Sequence, residues 1–150
     1  HEQFCQHLPP NERCDPISNY VKRLLDGRRE VQAPAAYIWN AYERALSVLE
    51  PGAVILPQTP PGADTRLPPT AIMEAHYIAH DFFLTPDQLI AEAHRLSGIP
   101  GIVIQGRYDL LCPPHSAQRL ARAWAGCELR YAELAGHAIT ERDVMTSLQA

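Results

Sequence analysis

The stretch Ile99-Pro-Gly-Ile-Val-Ile-Gln-Gly-Arg-Tyr-Asp109 decides the fold of this chain. It holds a β-branched apolar run between a Pro-Gly pair and a glycine. A short run that is apolar on both faces is typical of a buried strand in a parallel sheet. A helix is predicted next over 113–126, and the alternating residues 128–133 predict a second strand. Residues 99–133 are therefore predicted to form one strand–helix–strand unit with a right-handed crossover.

The sequence before this unit is predicted to be helical. Apolar residues recur at helical spacing in four segments, each with a capping residue or a proline at its start. These helices are predicted to start at Asp15-Pro16, near Pro34, at Thr70 and at Thr85-Pro86, and to end at Gly27, Pro51-Gly52, about Phe82 and Gly98. Residues 51–69 hold six prolines and two glycines, which predicts an irregular connector. Thr140 is predicted to cap a last helix.

Composition and charge argue against several classes of protein. The 150 residues carry 13 basic and 17 acidic side chains, a net charge of −4, which is unlike the basic surface of a nucleic-acid-binding protein. No apolar run approaches the roughly 18 residues of a membrane span, and the first residues do not read as a signal peptide. We therefore expect no nucleic-acid and no membrane partner. The four cysteines form no C-x-x-C pair, which argues against zinc-ribbon and thioredoxin-like proteins. They are also too few for a disulfide scaffold, which favours reduced thiols and a cytoplasmic protein.

The predicted sheet is small for a complete domain. Two parallel strands leave both edges of a sheet unpaired. The chain also begins with His1 rather than with methionine. We therefore expect further strands of this sheet to be encoded upstream of His1, in a longer protein.

Two polar side chains follow the predicted strands. Asp109 comes after the first strand and His137 after the second, and ligands of open α/β sheets bind beyond the carboxyl ends of the strands. A buried carboxylate beside an imidazole fixes the tautomer of the ring and stabilises its protonated form, as in a catalytic triad. An aspartate followed by a histidine is also the order found in α/β-hydrolases. The alternative is that Asp109 caps a loop and that His137 lies on the surface.

No serine nucleophile accompanies this pair. None of the five serines lies in a G-x-S-x-G elbow. Cys112 follows Asp109 by three residues and is one alternative nucleophile, although a structural cysteine is commoner. His76 and His80 have the i, i+4 spacing of metal ligands, but no third ligand is evident, so no metal site is predicted.

Several segments resemble the proline iminopeptidases, which are serine peptidases of the α/β-hydrolase fold. The segment Gly106-Arg-Tyr-Asp109 before a Cys-Pro pair, and the later Gly136-His137, are similar to those that carry the aspartate and the histidine of that family. Three upstream segments are similar to the family's helical cap: Leu8–Arg13, Trp39–Glu43 and Ile72–Ile78. Within them, Tyr42 and Ile78 stand where the family has tryptophan and phenylalanine.

The resemblance implies a role for four residues. Asp109 and His137 match the acid and the base of the triad, and Glu43 and Glu74 match two cap glutamates that bind the free amine of an N-terminal proline. A charged amine that enters a desolvated pocket requires carboxylates beside it, because an unpaired buried charge is costly. The residues alone favour a simpler interpretation, in which Glu43 is a solvated helix residue and Glu74 interacts with a helix N-terminus, and the motif match reverses this preference.

The sequence thus predicts an α/β protein, a fragment of an α/β-hydrolase. A helical cap is expected at 1–97, and the last strand–helix–strand–helix of the core at 98–150. The resemblance implies a serine aminopeptidase that acts on peptides with an N-terminal proline, without a metal or organic cofactor. Its nucleophile and oxyanion donors are expected in the missing N-terminal half of the same protein. The alternatives are a capped esterase with the same Asp–His pair, and a non-catalytic helical interaction module.

Overall fold

The computed structural model describes residues 1–50 and 66–149. Contacts between residues divide the chain into two compact units. The first comprises residues 1–45 and 66–84, and the second comprises 46–50 and 85–149. The assignment of 1–97 to a cap and of 98–150 to a hydrolase core stays a prediction.

Four helices form the first unit, and they enclose an aromatic core. Phe4 stacks between Tyr20 and Tyr42, with ring centroids 4.2 and 4.1 Å away, and Trp39 meets Phe4 edge-on. The Tyr20 hydroxyl donates a 2.9 Å hydrogen bond to the carbonyl of Phe4, so the polar end of this buried ring is satisfied. The helices are α1 (Glu2–Gln6), α2 (Pro16–Leu24), α3 (Arg29–Ser47), whose last residues belong to the second unit, and α4 (Pro69–Ala79).

The predicted start of α2 is confirmed by its capping, and the helix ends at Leu24, shortly before the predicted Gly27. The Asp15 carboxylate accepts a hydrogen bond from the Ser18 amide, and Pro16 occupies the first turn. Gly27 has a φ of +80°, the left-handed conformation that glycine adopts without strain after a helix. Helix α1 was not predicted, because five residues are too few for a periodic pattern.

Helix α3 begins at Arg29, earlier than the predicted start near Pro34. The amide of Gln32 bonds to the carbonyl of Arg28, and the Gln32 side chain donates to the carbonyl of Leu24 at 2.6 Å. Buried Ala33 belongs to the same turns. The Gln32 side-chain bond to Leu24 and the burial of Ala33 support the turn ahead of Pro34, and the sequence pattern does not reveal them. Pro34 itself removes one helical hydrogen bond.

Helix α4 also differs from its prediction at both ends. Its N-cap is Pro68, so Thr70 lies inside the helix instead of capping it. It ends at Ala79 rather than near Phe82, because residues 81–83 have φ between +50° and +56° and form a short 3-10 turn. The predicted connector at 51–69 lies mostly outside the described residues, and its end, Pro69, is already helical.

The second unit contains the predicted strand–helix–strand. Strand β1 (Gly101–Gly106) pairs in parallel with β2 (Cys127–Ala132), in a register from Gly101 opposite Cys127 to Gly106 opposite Ala132. Within the described ranges this sheet has two strands. Ile102 is 54% exposed, so β1 is not buried on both faces as its apolar run suggests. The helices of this unit are α5 (Gln88–Ala91), α6 (Pro114–Ala123) and α7 (Arg142–Gln149).

Two helices of this unit are shorter than predicted. The helix expected from Thr85 to Gly98 is reduced to α5 and a 3-10 turn over Ala93–Leu96. One of the two hydrogen bonds of the predicted capping box is present: the Gln88 side-chain oxygen accepts a hydrogen bond from the Thr85 amide at 3.0 Å. The last helix starts at Arg142, so Thr140 does not cap it.

The coarse architecture, helices with a small parallel sheet, is as predicted. The finer assignment to an α/β-hydrolase stays a prediction. No helix in residues 1–50 and 66–149 combines the length and the apolar character needed to cross a membrane.

Candidate active site

The structure brings Asp109 and His137 together at the carboxyl end of the sheet. Asp109 lies three residues after β1, and His137 lies five residues after β2. Because the strands are parallel, both loops leave the same edge of the sheet. The Nδ1 atom of His137 lies 3.0 Å from Oδ2 of Asp109.

The Asp109 carboxylate is buried and held by neighbours from its own loop. Its Oδ1 accepts hydrogen bonds from the amides of Leu111 at 3.0 Å and Cys112 at 2.8 Å. Its Oδ2 accepts from the Gln105 side chain at 3.3 Å as well as from His137. The side chain is only 6% exposed. These contacts fix the orientation of the carboxylate toward the imidazole.

The backbone around His137 is held by a segment far away in the sequence. The amides of His137 and Ala138 both donate to the carbonyl of Ser47, at 2.8 and 2.7 Å. The Glu141 carboxylate accepts from the amides of Gly136 and Leu49, the latter at 2.7 Å. The imidazole therefore sits on a loop whose backbone is anchored on both sides of it.

The two loops approach each other closely at Gly106. A Cβ atom at this position would lie 1.8 Å from the carbonyl oxygen of Gly136. The Tyr108 amide donates to the carbonyl of Ala135 at 3.0 Å, and the Arg107 amide donates to that of Ala132 at 3.0 Å. Only glycine fits at position 106, and its absence of a side chain lets the aspartate loop reach the histidine loop.

This arrangement gives the imidazole a defined chemical role. When Nδ1 donates its proton to Asp109, Nε2 carries the lone pair and acts as the proton acceptor. The His137 side chain is 43% exposed, so a reacting group can approach Nε2. The pair can therefore serve as a general base and then as a general acid.

The first unit brings Glu43 and Glu74 together beside Trp39. The Trp39 indole donates to Oε2 of Glu74 at 2.9 Å. Burial, a hydrogen bond to Glu74 and the Glu74 charge together raise the pKa of the Glu43 carboxyl to about 8, and the Trp39 donor offsets part of this shift. Two carboxyl groups with one proton between them form an acceptor for a cation.

The structure also shows the surroundings of Cys112 and of the His76–His80 pair. Desolvation, and then the Asp109 charge, raise the pKa of the Cys112 thiol, which opposes the thiolate that a cysteine nucleophile needs. The rings of His76 and His80 lie 4.4 Å apart on α4, but no third metal ligand joins them within the described part of the chain. Neither observation favours the alternative chemistry.

Sequence reasoning missed the residues that support His137. Ser47 acts through its backbone carbonyl, and no side-chain pattern marks such a contact. Glu141 lies four residues after His137, but a glutamate near a helix start is too common to single it out. Gln105 occupies a position in a strand that was predicted as uniformly buried, and its polarity was the available signal.

The chain is similar to curated proline iminopeptidases over nearly its whole length. A probable proline iminopeptidase from Leptolyngbya boryana is 35% identical over 150 residues, which cover 98% of this chain and 46% of that relative. Proline iminopeptidases from Xanthomonas citri and Arabidopsis thaliana are each 31% identical over 98% of this chain, and the match covers 47% and 39% of their lengths. The predicted resemblance to proline iminopeptidases is confirmed.

The chain spans about half the length, or less, of the curated proline iminopeptidases it matches. A scan against models of protein families found no match. The names of these proline iminopeptidases indicate a peptidase and a peptide substrate, and they assign no role to an individual residue. The roles of Asp109, His137, Glu43 and Glu74 therefore remain predictions.

Proposed function

We propose that this chain supplies the acid–base pair and the amine-binding carboxylates of a serine aminopeptidase that releases N-terminal proline. In this proposal residues 1–97 form the cap and residues 98–150 the end of an α/β-hydrolase core. The nucleophilic serine and the oxyanion donors come from sequence outside these 150 residues. The four cysteines are all free, which fits the reducing conditions of a cytoplasmic enzyme.

His137 moves the proton in the proposed reaction. As the serine Oγ attacks the carbonyl of the N-terminal proline, its proton passes to Nε2 of His137 and a tetrahedral intermediate forms. The intermediate collapses, and the leaving amine takes that proton with it, so that a prolyl ester remains on the serine. Water then cleaves the ester by the same proton transfers. Asp109 holds the ring and stabilises the imidazolium in both steps.

Glu43 and Glu74 recognise the cationic amine of the substrate. The Glu43 carboxyl holds a proton near neutral pH, because its pKa is raised to about 8. An arriving ammonium group stabilises the second negative charge, so Glu43 releases its proton as the amine binds. A substrate without a free amine would leave the proton on Glu43 and would bring no cation for the two carboxyl groups to bind. The site therefore selects a free N-terminus by charge.

The observation that carries the proposal is the 3.0 Å contact between His137 Nδ1 and the buried Asp109 carboxylate, in segments that match proline iminopeptidases. That contact supplies a mechanism, and the relatives' names supply the substrate class.

The test compares the 150-residue chain with a protein extended upstream, by its own encoded sequence, to the length of the relatives. We expect the extended protein to hydrolyse a chromogenic proline amide and the 150-residue chain to show no turnover, since it lacks the nucleophile. His137→Gln in the extended protein should lower kcat by on the order of 10⁶-fold. Turnover by the short chain, or full activity of His137→Gln, would contradict the proposal.

A second arm separates peptidase from esterase activity. Glu74→Gln should lower kcat/KM for the proline amide by about tenfold or more, and should change hydrolysis of a neutral acetate ester much less, because the ester brings no cation. Glu30→Gln, at an exposed position on α3, is the matched control and should affect neither substrate. Ester hydrolysis without any amide hydrolysis would identify a capped esterase instead.

A further inference from the structure

We propose that Asp109, Cys112 and His137 form a site for Zn²⁺, and that a bound ion removes His137 from proton transfer. Binding of the ion stands independently of the hydrolytic activity, and the inhibitory effect rests on the proposed function.

The three side chains offer a donor set that Zn²⁺ prefers. A carboxylate oxygen, a thiol sulfur and a ring nitrogen all lie within 4.8 Å of one another. Zn²⁺ binds such atoms at about 2.0–2.3 Å, so the ligands of one tetrahedral ion are separated by roughly 3.3–3.8 Å. The oxygen and nitrogen are already closer than this, at 3.0 Å. A side-chain adjustment of about 1 Å therefore closes the site around an ion.

Contacts that involve no metal already hold these ligands near one another. The Cys112 amide donates to Oδ1 of Asp109 at 2.8 Å, which curls the Asp-x-x-Cys segment and brings the thiol toward the carboxylate. Gln105 donates both to Oδ2 of Asp109 and to the carbonyl of Cys112, at 3.3 and 3.1 Å. Supporting hydrogen bonds of this kind orient the ligands of metal sites and raise their affinity.

Charge and access also favour a cation here. The Asp109 carboxylate is buried, and a donor atom of Cys112 lies within 4.8 Å of it. A divalent cation stabilises both negative ligands at once. His137 and Cys112 are exposed, so an ion can enter from solvent, and a water molecule can complete four ligands.

In one binding mode the ion is coordinated by Nδ1 of His137. The Cys112 thiol loses one proton to the buffer, and the imidazole proton moves from Nδ1 to Nε2. The metal takes the place of that proton between the ring and Asp109. Nε2 is then an N–H donor and cannot accept a proton from a serine. If the ion is coordinated through Nε2 instead, it occupies the lone pair that would accept the serine proton. Both binding modes therefore prevent His137 from acting as a base.

The direct test is calorimetric titration of the 150-residue chain with Zn²⁺, repeated with Co²⁺ and read by absorption. We expect one ion per chain at this site and a thiolate-to-cobalt charge-transfer band. Cys112→Ser should weaken binding at least tenfold and remove the band, while circular dichroism shows an unchanged fold. Cys127→Ser, a cysteine of the same unit outside the cluster, should leave both unchanged.

One competing location is controlled with Cys5→Ser. The Cys5 sulfur lies 3.4 Å from the His1 ring, which is another thiol–imidazole pair. If Cys5→Ser removes the band and Cys112→Ser does not, the ion is held at the N-terminus and the proposal is overturned. The absence of any Zn²⁺ binding would overturn it as well.

The inhibitory effect is tested in the extended protein. Zn²⁺ should suppress hydrolysis of the proline amide, EDTA should restore it, and Cys112→Ser should lower the sensitivity to Zn²⁺ at least tenfold. Binding by the short chain, together with an extended protein that hydrolyses nothing, would support the metal site and reject the peptidase. Hydrolysis that a stoichiometrically bound ion does not slow would reject the inhibitory role.

Discussion

At the scale of single residues, the environment of Glu43 has a consequence for stability. Its carboxyl lies on α3 beside Glu74 and Trp39, and its pKa is raised to about 8 from an ordinary value near 4.5. The folded chain thus binds this proton more tightly than the unfolded chain does. The stabilising contribution is complete below about pH 4.5 and is lost as the pH rises through about 8.

We therefore expect Glu43→Gln to remove part of the pH dependence of folding. The wild-type chain should lose stability between pH 6 and pH 9 relative to the variant, by on the order of 1 kcal/mol, because solvent screens a half-buried carboxyl. Thermal unfolding at a series of pH values measures this difference. Parallel curves for the two proteins would show that the Glu43 proton does not contribute.

The residues that begin and end helices were predictable from the sequence in some cases. Asp15 was predicted as the cap of α2 and caps it, and Gly27, predicted as its end, has a positive φ three residues after the last helical residue. Thr70 and Thr140 carry the same kind of signal, but neither caps a helix. A capping residue only favours a helix start at its position, and the tertiary contacts of the segment decide where the helix begins.

At the scale of elements, the site depends on how closely two strand ends approach. Asp109 and His137 follow β1 and β2, and Gly106 lets the intervening backbones meet. Since a Cβ at Gly106 would overlap the carbonyl of Gly136, any side chain there must push the two loops apart. The Asp109–His137 contact should therefore be sensitive to this position.

Gly106→Ala should destabilise the chain by about 3 kcal/mol or more and break the Asp109–His137 hydrogen bond. Urea unfolding gives the first quantity, and the downfield proton resonance of the bonded imidazole reports the second. Gly27→Ala is the matched control: its φ is positive, but no atom lies within 4 Å of the added carbon, so it should cost only about 1–2 kcal/mol and leave the resonance in place. Equal effects of the two changes would contradict the steric explanation.

The strand–helix–strand was predictable because each element has its own pattern over adjacent residues. The run 101–106, the helix opened by two prolines and the alternation at 127–132 are all visible without tertiary information. The structure of segment 85–98 was not predictable in the same way. Its apolar residues recur at helical spacing throughout, but the structure divides them between a helix of four residues and a 3-10 turn. Periodicity does not distinguish one continuous helix from two short turns in succession.

At the scale of the whole chain, the histidine loop depends on residues nearly a hundred positions away. The Glu141 carboxylate joins the amide of Leu49 to that of Gly136, and Ser47 receives the amides of His137 and Ala138. A charged acceptor that serves two amides contributes more than a neutral one. This connection holds 46–50 within the second unit.

Glu141→Gln should lower the free energy of unfolding by about 1.5–3 kcal/mol, because a side-chain amide offers one acceptor oxygen and opposes an N–H to the second backbone amide. Chemical denaturation measures the change. Glu133→Gln removes an exposed ion pair with Arg107 and should cost less than about 1 kcal/mol. A Glu141→Gln variant as stable as the Glu133→Gln control would show that the long-range anchor is unimportant.

The sequence by itself determined the parallel strand–helix–strand, the order of Asp109 and His137 at its strand ends, and the resemblance to proline iminopeptidases. Each of these features depends on residues that lie near one another in the chain, because propensity, spacing and motifs are properties of short segments. The tertiary structure alone decided that Ser47 and Glu141 hold the histidine loop, that the Trp39 indole bonds to Glu74, and that Cys112 lies near both members of the Asp–His pair. Such contacts depend on how distant backbone segments pack, and no local pattern of side chains encodes the resulting distances.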